Sequence, residues 1–256
     1  MLYLGIFAAT LMMVAGGWIF IALNRKFPKA VDILLAASAG LLLGMVFFGI
    51  LPEAWELFSE AFGAHSTLGF TAAVALGVVF IVVFEKLIPV HHHEEVDEAA
   101  VHHHHRDRRQ MTAVILLAFG FHSLFELLSI LVTGGAEPAL AWGLALVIGL
   151  HNIPIGFVIS AQMELFEVKG GRCLGLLAGL AAAETALAAL VFAALTPWVT
   201  PQVQGILLSM TAGIMVYLVF DELLPKVYRE EDQHAVNYTV ILGILAMLAF
   251  IKITGH

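Results

Sequence analysis

The chain has 256 residues, of which 61% are hydrophobic and only 12% are charged, and its net charge is -8. Soluble globular proteins are usually about 45–50% apolar and about 25% charged, so this composition excludes a soluble protein and makes the lipid bilayer the expected solvent. The acidic excess is spread over short loops and helix ends, and no long basic run occurs, so nucleic acid is not expected as a partner.

Eight apolar segments are each long enough to cross a hydrocarbon core, which takes roughly 20 helical residues. They cover residues 2–23, 31–51, 66–88, 111–132, 140–163, 173–195, 203–224 and 237–254. Turn residues separate several of them, as at Lys26-Phe27-Pro28, Leu51-Pro52-Glu53 and Gly170-Gly171. The sequence therefore predicts one all-α polytopic membrane domain over residues 1–256, with eight transmembrane helices.

The basic residues indicate how these spans are oriented. Eleven of the twelve Lys and Arg residues fall after spans one, three, five and seven, and Lys252 is the exception. Because cytoplasmic loops retain positive charge, both termini are predicted to lie outside. Span two ends in Leu51-Pro52-Glu53 and span seven in Leu224-Pro225-Lys226, which hints at an inverted repeat around a central helix pair. The short loops are typical of a prokaryotic cytoplasmic membrane protein.

Three predicted spans carry polar residues near mid-depth, where an ionisable group costs several kcal/mol unless it is paired, solvated or coordinated. They are His122, Ser123 and Glu126 in span four, His151 and Asn152 in span five, and Glu184 in span six. His122 and Glu126 are four residues apart and share one helix face, so imidazole and carboxylate can bind the same ion. Each residue taken alone is also compatible with a structural hydrogen bond between helices.

The types of ligand in this set indicate a class of metal. Histidine, carboxylate and amide groups without thiolates suit zinc, iron, manganese, cobalt or nickel better than copper(I). Cys173 is the single cysteine, has no CxxC context and is predicted to be a packed thiol. The sequence therefore predicts a mid-membrane site for a divalent ion, and the ligand types do not choose among these metals.

The long connection after span three, residues 89–110, is rich in histidine. It contains His91, His92, His93, His102, His103, His104 and His105. Such a loop is predicted to be disordered and to bind transition metals weakly on the cytoplasmic side, although a solvated low-complexity linker is the alternative. Glu53 outside and Asp221 and Glu222 inside are weaker candidates for an ion pathway, since charges at helix ends are usually just solvated.

The order of these motifs resembles the ZIP family of divalent metal ion transporters. His122-Ser-Leu-Phe-Glu126 is similar to that family's H-[NS]-x-x-E signature, and His151-Asn-Ile-Pro-Ile-Gly156 to its H-N-x-P-E-G form. The resemblance implies that a divalent metal, with zinc as the first choice, is a substrate carried toward the cytoplasm by alternating access, with no catalytic cofactor. It implies a metal site made of His122, Ser123, Glu126, His151, Asn152 and Glu184.

One position departs from the family pattern, and other functions stay open. Ile155 stands where the family often has a second glutamate that bridges two metals, so a single-ion site is expected. An intramembrane metalloenzyme is an alternative, because a buried His/Glu site can activate water, but no HExxH or serine nucleophile motif is present. A metal sensor that binds ions without moving them is another. A homodimer also stays open, through small faces such as Gly175 to Gly179.

Overall fold

The computed structural model describes residues 2–63, 66–87, 116, 119–120, 122–124, 126–128, 131, 138–195, 200–230 and 233–254. All regular secondary structure in these ranges is helical. The helices are α1 (Leu2–Asn24), α2 (Pro28–Met45), α3 (Leu51–Phe62), α4 (Ser66–Leu87), α5 (Pro138–Leu165), α6 (Gly171–Leu195), α7 (Pro201–Leu218), α8 (Leu224–Glu230) and α9 (Gln233–Thr254). The helical residues described between 116 and 131 are called the 116–131 segment below. The predicted His-rich loop at 89–110 lies outside the described residues.

Six helical stretches in the described residues are long and apolar enough to cross a membrane. They are Leu4–Asn24, Ala30–Phe62, Ser66–Phe84, Gly171–Ala194, Gln202–Asp221 and Gln233–Ile253. These match predicted spans one, two, three, six, seven and eight. At predicted span five, α5 is a helix of 28 residues, about 42 Å long at 1.5 Å per residue. Predicted span four, residues 111–132, contains the 116–131 segment. The all-helical fold is confirmed, whereas the count of eight spans stays a prediction.

The predicted turn at Leu51-Pro52-Glu53 is wrong, because the chain stays helical there. A π-helical turn over Val46–Ile50 joins α2 to α3, and the helix continues to Phe62. Proline has no N–H and its ring displaces the carbonyl four residues earlier, so an ordinary α-helix is disturbed at this position. The wider π turn carries the backbone past it, with the N–H of Leu51 donating to the carbonyl of Val46.

The second Leu-Pro pair behaves in the same way. A π turn over Val219–Leu223 precedes Leu224-Pro225, and helix α8 continues to Glu230, beyond the predicted end of span seven. Helices α2 and α7 are each 18 residues long, and each has proline in its first turn. Each is followed by a five-residue π turn that begins Val-Phe. Two parts of the chain thus share one succession of elements, which favours an internal repeat.

Glycines allow three pairs of helices to touch backbone to backbone. Between α1 and α5, a Cβ on Gly16 would lie 2.0 Å from the carbonyl oxygen of Ile153, and one on Gly156 would lie 1.8 Å from that of Met13. Gly40 and Gly243 allow the same backbone contact between α2 and α9, and Gly77 and Gly213 allow it between α4 and α7. Small residues drive such packing in lipid, where helices gain little from hiding apolar surface.

The described helices form two packed groups. In the first group, α1 packs on α5 and α6. In the second, α2 packs on α9, α7 packs on α3 and α4, and the first π turn joins α2 to α3. Contacts from α2 to α1 and α5 connect the two groups. The 116–131 segment belongs with the first group, because Leu124, Leu127 and Leu128 share a buried apolar cluster with Ile6 of α1 and Ile148 of α5. The polar residues of predicted spans four, five and six therefore lie in one group of helices.

Candidate metal centre

His122 and Glu126 lie one turn apart on the 116–131 segment and point at each other. The Nε2 atom of His122 is 3.3 Å from Oε1 of Glu126. Both side chains are buried, with His122 at 0% and Glu126 at 3% exposure. Four-residue spacing places two side chains on the same face of a helix, so the sequence alone predicts this proximity.

His151 on α5 completes a group of three. Its Nδ1 atom is 3.8 Å from Oε1 of Glu126, and its ring stacks beside that of His122 with centroids 5.5 Å apart. One ligand atom from each residue can be chosen so that all three lie within 4.8 Å of one another. Zinc bonds of about 2.0–2.1 Å in a tetrahedron separate ligand atoms by about 3.3 Å, so small side-chain rotations would close the group around an ion.

The polar atoms of this group have no hydrogen-bond partner among the described residues. This holds for both ring nitrogens of His122 and of His151 and for both carboxyl oxygens of Glu126, all of which are buried. Burying polar atoms without partners is unfavourable, and native proteins satisfy nearly all of them. Two imidazoles and a carboxylate with free lone pairs form a ligand set suited to a borderline divalent cation, which would satisfy those atoms together.

Asn152 links this centre to α1. Its Nδ2 donates a hydrogen bond of 3.0 Å to the carbonyl oxygen of Ala9, whereas its Oδ1 has no partner among the described residues. Ser123 is likewise buried, and its hydroxyl has no hydrogen-bond partner within the described part of the chain. Each follows a histidine of the group in sequence, and successive residues of a helix point about 100° apart. Both side chains therefore leave their helix next to a histidine of the group but point in a different direction from it.

Glu184 approaches the same segment from α6. It is 4% exposed, and both carboxyl oxygens lack partners among the described residues. Its Oε1 lies 3.6 Å from the position that a Cβ on Gly120 would occupy. Glu184 is therefore close to the segment that carries His122, but it is not part of the group of three ligands.

Ile155 places an apolar side chain one turn after His151 on α5. It is fully buried, with 0% exposure, and belongs to the main hydrophobic cluster of the protein. An isoleucine offers no lone pair to a metal, so Ile155 adds no candidate ligand to the one that His151 offers on this face of α5.

The weaker pathway candidates among the described residues are not part of the His122–Glu126–His151 group. Glu53 is exposed on α3, although its carboxylate is close enough to interact electrostatically with that of Glu126. Asp221 is exposed in the second π turn, and Glu222 belongs to the same turn. The seven predicted loop histidines lie outside the described residues.

Sequence reasoning missed the part that α1 plays in this centre. The carbonyl of Ala9 holds Asn152, and Gly156 lets α1 approach α5 one turn later. A glycine four residues after Asn152 was a usable signal, because small residues mark close helix contacts in membranes. The acceptor on α1 is a backbone atom, which has no sequence signature.

Known proteins resemble this chain over most of its length. The family model described as ZIP Zinc transporter matches residues 1–251. A protein named Zinc transporter ZupT from Corynebacterium efficiens is 31% identical over 241 residues, covering 89% of this chain and 88% of that protein. Proteins of the same name from Corynebacterium aurimucosum and Chlorobium limicola are 29% and 28% identical, and each alignment covers 91% of this chain and about nine tenths of the relative.

Proposed function

The chain belongs to the ZIP zinc transporter family, and on that premise we propose that this multi-pass membrane protein carries zinc into the cytoplasm by alternating access. Three curated relatives that cover most of the chain are named zinc transporters. Iron, manganese, cobalt and nickel are secondary substrates, since histidine and carboxylate ligands accept all of these ions. Zinc is the cargo here and has no catalytic part.

The transported ion is bound by His122, Glu126 and His151. The observation that carries this assignment is the convergence of three buried side chains whose polar atoms have no other partners among the described residues. Ser123, Asn152 and Glu184 complete the site as flanking ligands. A carrier must release its ion, and flanking oxygen ligands that engage in one conformation and not in another allow that release.

The site holds one ion at a time. A second ion would need a further bridging carboxylate, and α5 has the buried Ile155 where such a group would stand. With one carboxylate among the three ligands, the centre carries enough negative charge to offset half of the charge of one divalent cation. Two adjacent divalent cations would repel each other strongly in so apolar a setting.

We further propose eight spans with both termini outside, arranged as an inverted repeat around spans four and five. The shared succession of α2 and α7 with their π turns supports a repeat, and the distribution of Lys and Arg supports the orientation. The division of the described helices into two packed groups supports alternating access by motion of one group against the other.

Reconstitution distinguishes this function from its alternatives. Liposomes containing the purified protein are expected to take up zinc down its gradient faster than protein-free liposomes do. Saturable zinc binding without flux would contradict transport and favour a sensor. Turnover of a peptide or lipid without ion flux would favour a metalloenzyme.

A further inference from the structure

A cavity of about 270 Å³ lies at one end of the first helix group, where α1 and α5 end and α6 begins. Ser160 of α5 lines this cavity. It is nine residues beyond His151 on the same helix, which is about 14 Å at 1.5 Å per residue. The cavity is therefore separate from the candidate metal centre.

The cavity stands where two membrane-crossing stretches of the first helix group end. The stretch in α1 runs over Leu4–Asn24, and the stretch in α6 runs over Gly171–Ala194. Asn24 and Gly170 both line the cavity. Because helices of this length match the thickness of the hydrocarbon core, their ends lie close to the lipid headgroups. The cavity therefore opens at the depth of the headgroups.

The lining is apolar toward the middle of the bilayer and basic at the mouth. Phe20 lines the cavity four residues before the end of α1, which is about 6 Å deeper at 1.5 Å per residue. Its ring packs edge-on against that of Phe157 on α5, with centroids 5.3 Å apart. Arg25 and Lys169 also line the cavity, and both are exposed. This division suits an amphiphile with its polar group at the mouth.

The mouth carries more positive than negative charge. Arg25 and Lys169 are its basic residues, and Glu164 is the acidic residue of the lining. Glu164 accepts a hydrogen bond from Asn24, and its Oε1 lies 3.9 Å from Nζ of Lys169, in an exposed pair that binds weakly. Arg25 forms no ion pair within the described part of the chain. Its guanidinium offers the fork of N–H donors that matches a phosphate, and Lys169 adds an ammonium beside it.

We propose that this cavity binds the headgroup of an anionic phospholipid. Arg25 and Lys169 hold the phosphate, the glycerol part packs over Phe20, and the acyl chains stay in the bilayer. Pockets that enclose a whole drug-sized ligand measure about 300–1,000 Å³, so a cavity of 270 Å³ suits a headgroup better than a whole lipid. Basic pockets between transmembrane helices are a known type of site for acidic headgroups. All three lining helices belong to the first helix group, so the lipid binds to the part of the protein that carries the candidate metal centre.

Lipid binding to the purified full-length protein in detergent tests the site. Native mass spectrometry counts the bound lipids during titration with dioleoylphosphatidylglycerol, which is anionic, or dioleoylphosphatidylcholine, which has no net charge and the same chains. The wild-type protein is expected to bind one phosphatidylglycerol more tightly than any phosphatidylcholine. Arg25→Gln/Lys169→Gln is expected to weaken phosphatidylglycerol binding by about tenfold or more and to remove the preference. Equal binding of the two lipids by the wild-type protein would overturn the proposal.

A matched double variant separates the cavity from the general positive charge around it. Lys26→Gln/Arg172→Gln also removes one lysine and one arginine, both exposed and both outside the lining, and is expected to keep the preference. An equal loss in both double variants would show diffuse attraction and contradict the site. Arg25→Gln alone decides the question if the first double variant unfolds, because Arg25 takes part in no ion pair of the described residues.

Competition with a soluble anion tests whether the occupant is a lipid. Glycerol 3-phosphate carries the phosphate and the glycerol but no acyl chains. It is expected to displace bound phosphatidylglycerol only at a concentration far above that of the lipid. Displacement at an equal concentration would show a site for a free phosphate compound, and the lipid proposal would be wrong. None of these readouts involves zinc, so their outcome is independent of the transport proposal.

Discussion

The side-chain amide of Asn152 donates a hydrogen bond of 3.0 Å to the backbone carbonyl of Ala9. This bond fixes the residue next to His151 against a different helix, so the orientation of α5 at the candidate metal centre depends on α1. It also directs Oδ1 of Asn152 away from Ala9, and this oxygen, which has no partner among the residues that the structure describes, can accept a hydrogen bond or bind a cation. The side chain of Asn152 thus has two separable roles. Its Nδ2 donor positions α5 against α1, and its Oδ1 is proposed to bind the metal ion.

Substitutions of Asn152 separate these two parts. Asn152→Ala removes both and is expected to lower the free energy of unfolding of the metal-free protein by about 1 kcal/mol and to weaken zinc binding. Asn152→Asp keeps an oxygen but loses the donor, so it is expected to restore zinc affinity without restoring stability. Thermal unfolding in detergent and zinc titration measure the two effects. Recovery of both by aspartate would contradict the positioning role of the hydrogen bond.

Gly156 is expected to tolerate no side chain. A Cβ there would lie 1.8 Å from the carbonyl oxygen of Met13, so Gly156→Ala must push α1 away from α5. Overpacking of this kind typically costs about 1–3 kcal/mol and moves the backbone that holds His151. Unfolding temperature and zinc uptake should both fall. Gly175→Ala is the matched control on α6, because a Cβ there meets nothing within 4 Å, and equal losses in both variants would refute this reading.

Ile155→Glu is expected to raise the number of bound zinc ions from one to two. The new carboxylate would stand one turn from His151, where it can bridge two ions. Because it is buried, it should lower the stability of the metal-free protein, and zinc should restore that stability. Metal content after equilibrium dialysis gives the stoichiometry, with Ile155→Leu as the control that keeps the apolar character. A stoichiometry that stays at one zinc ion per protein would contradict the proposed role of Ile155.

The two buried glutamates are expected to differ in importance. Glu126→Gln removes the charge at the middle of the three-ligand group and should weaken zinc binding by about 100-fold or more. Glu184→Gln changes a residue beside that group and should weaken binding by about tenfold or less. Calorimetric titration of the two variants gives the ranking, and a larger loss at Glu184 would place the ion nearer to α6 than proposed.

Part of this architecture was predictable because it depends on local geometry. The proximity of His122 and Glu126 follows from their four-residue spacing, and the convergence of His151 with them was expected from its depth in span five. Depth along a helix does not give rotation about its axis or the identity of its neighbours. That is why the bond from Asn152 to Ala9 was not predicted.

The Leu-Pro pairs show a different limit. A proline after an apolar run usually marks the end of a helix, and the sequence predicted a turn at Pro52 on that basis. The structure instead places a π turn over Val46–Ile50 and continues the helix to Phe62. A π turn rearranges backbone hydrogen bonds, which every sequence can form, so its position has no clear sequence signature. It depends instead on how the two flanking helices pack.

Zinc uptake by proteoliposomes containing the His122→Ala/Glu126→Ala double variant tests the central claim most directly. Thr239→Ala serves as the control, because the hydroxyl of Thr239 donates a hydrogen bond to the carbonyl of Ala235 in its own helix. The control is expected to match the wild-type rate, whereas the folded double variant is expected to take up zinc no faster than protein-free liposomes. Wild-type uptake by the double variant would show that zinc does not pass through this site.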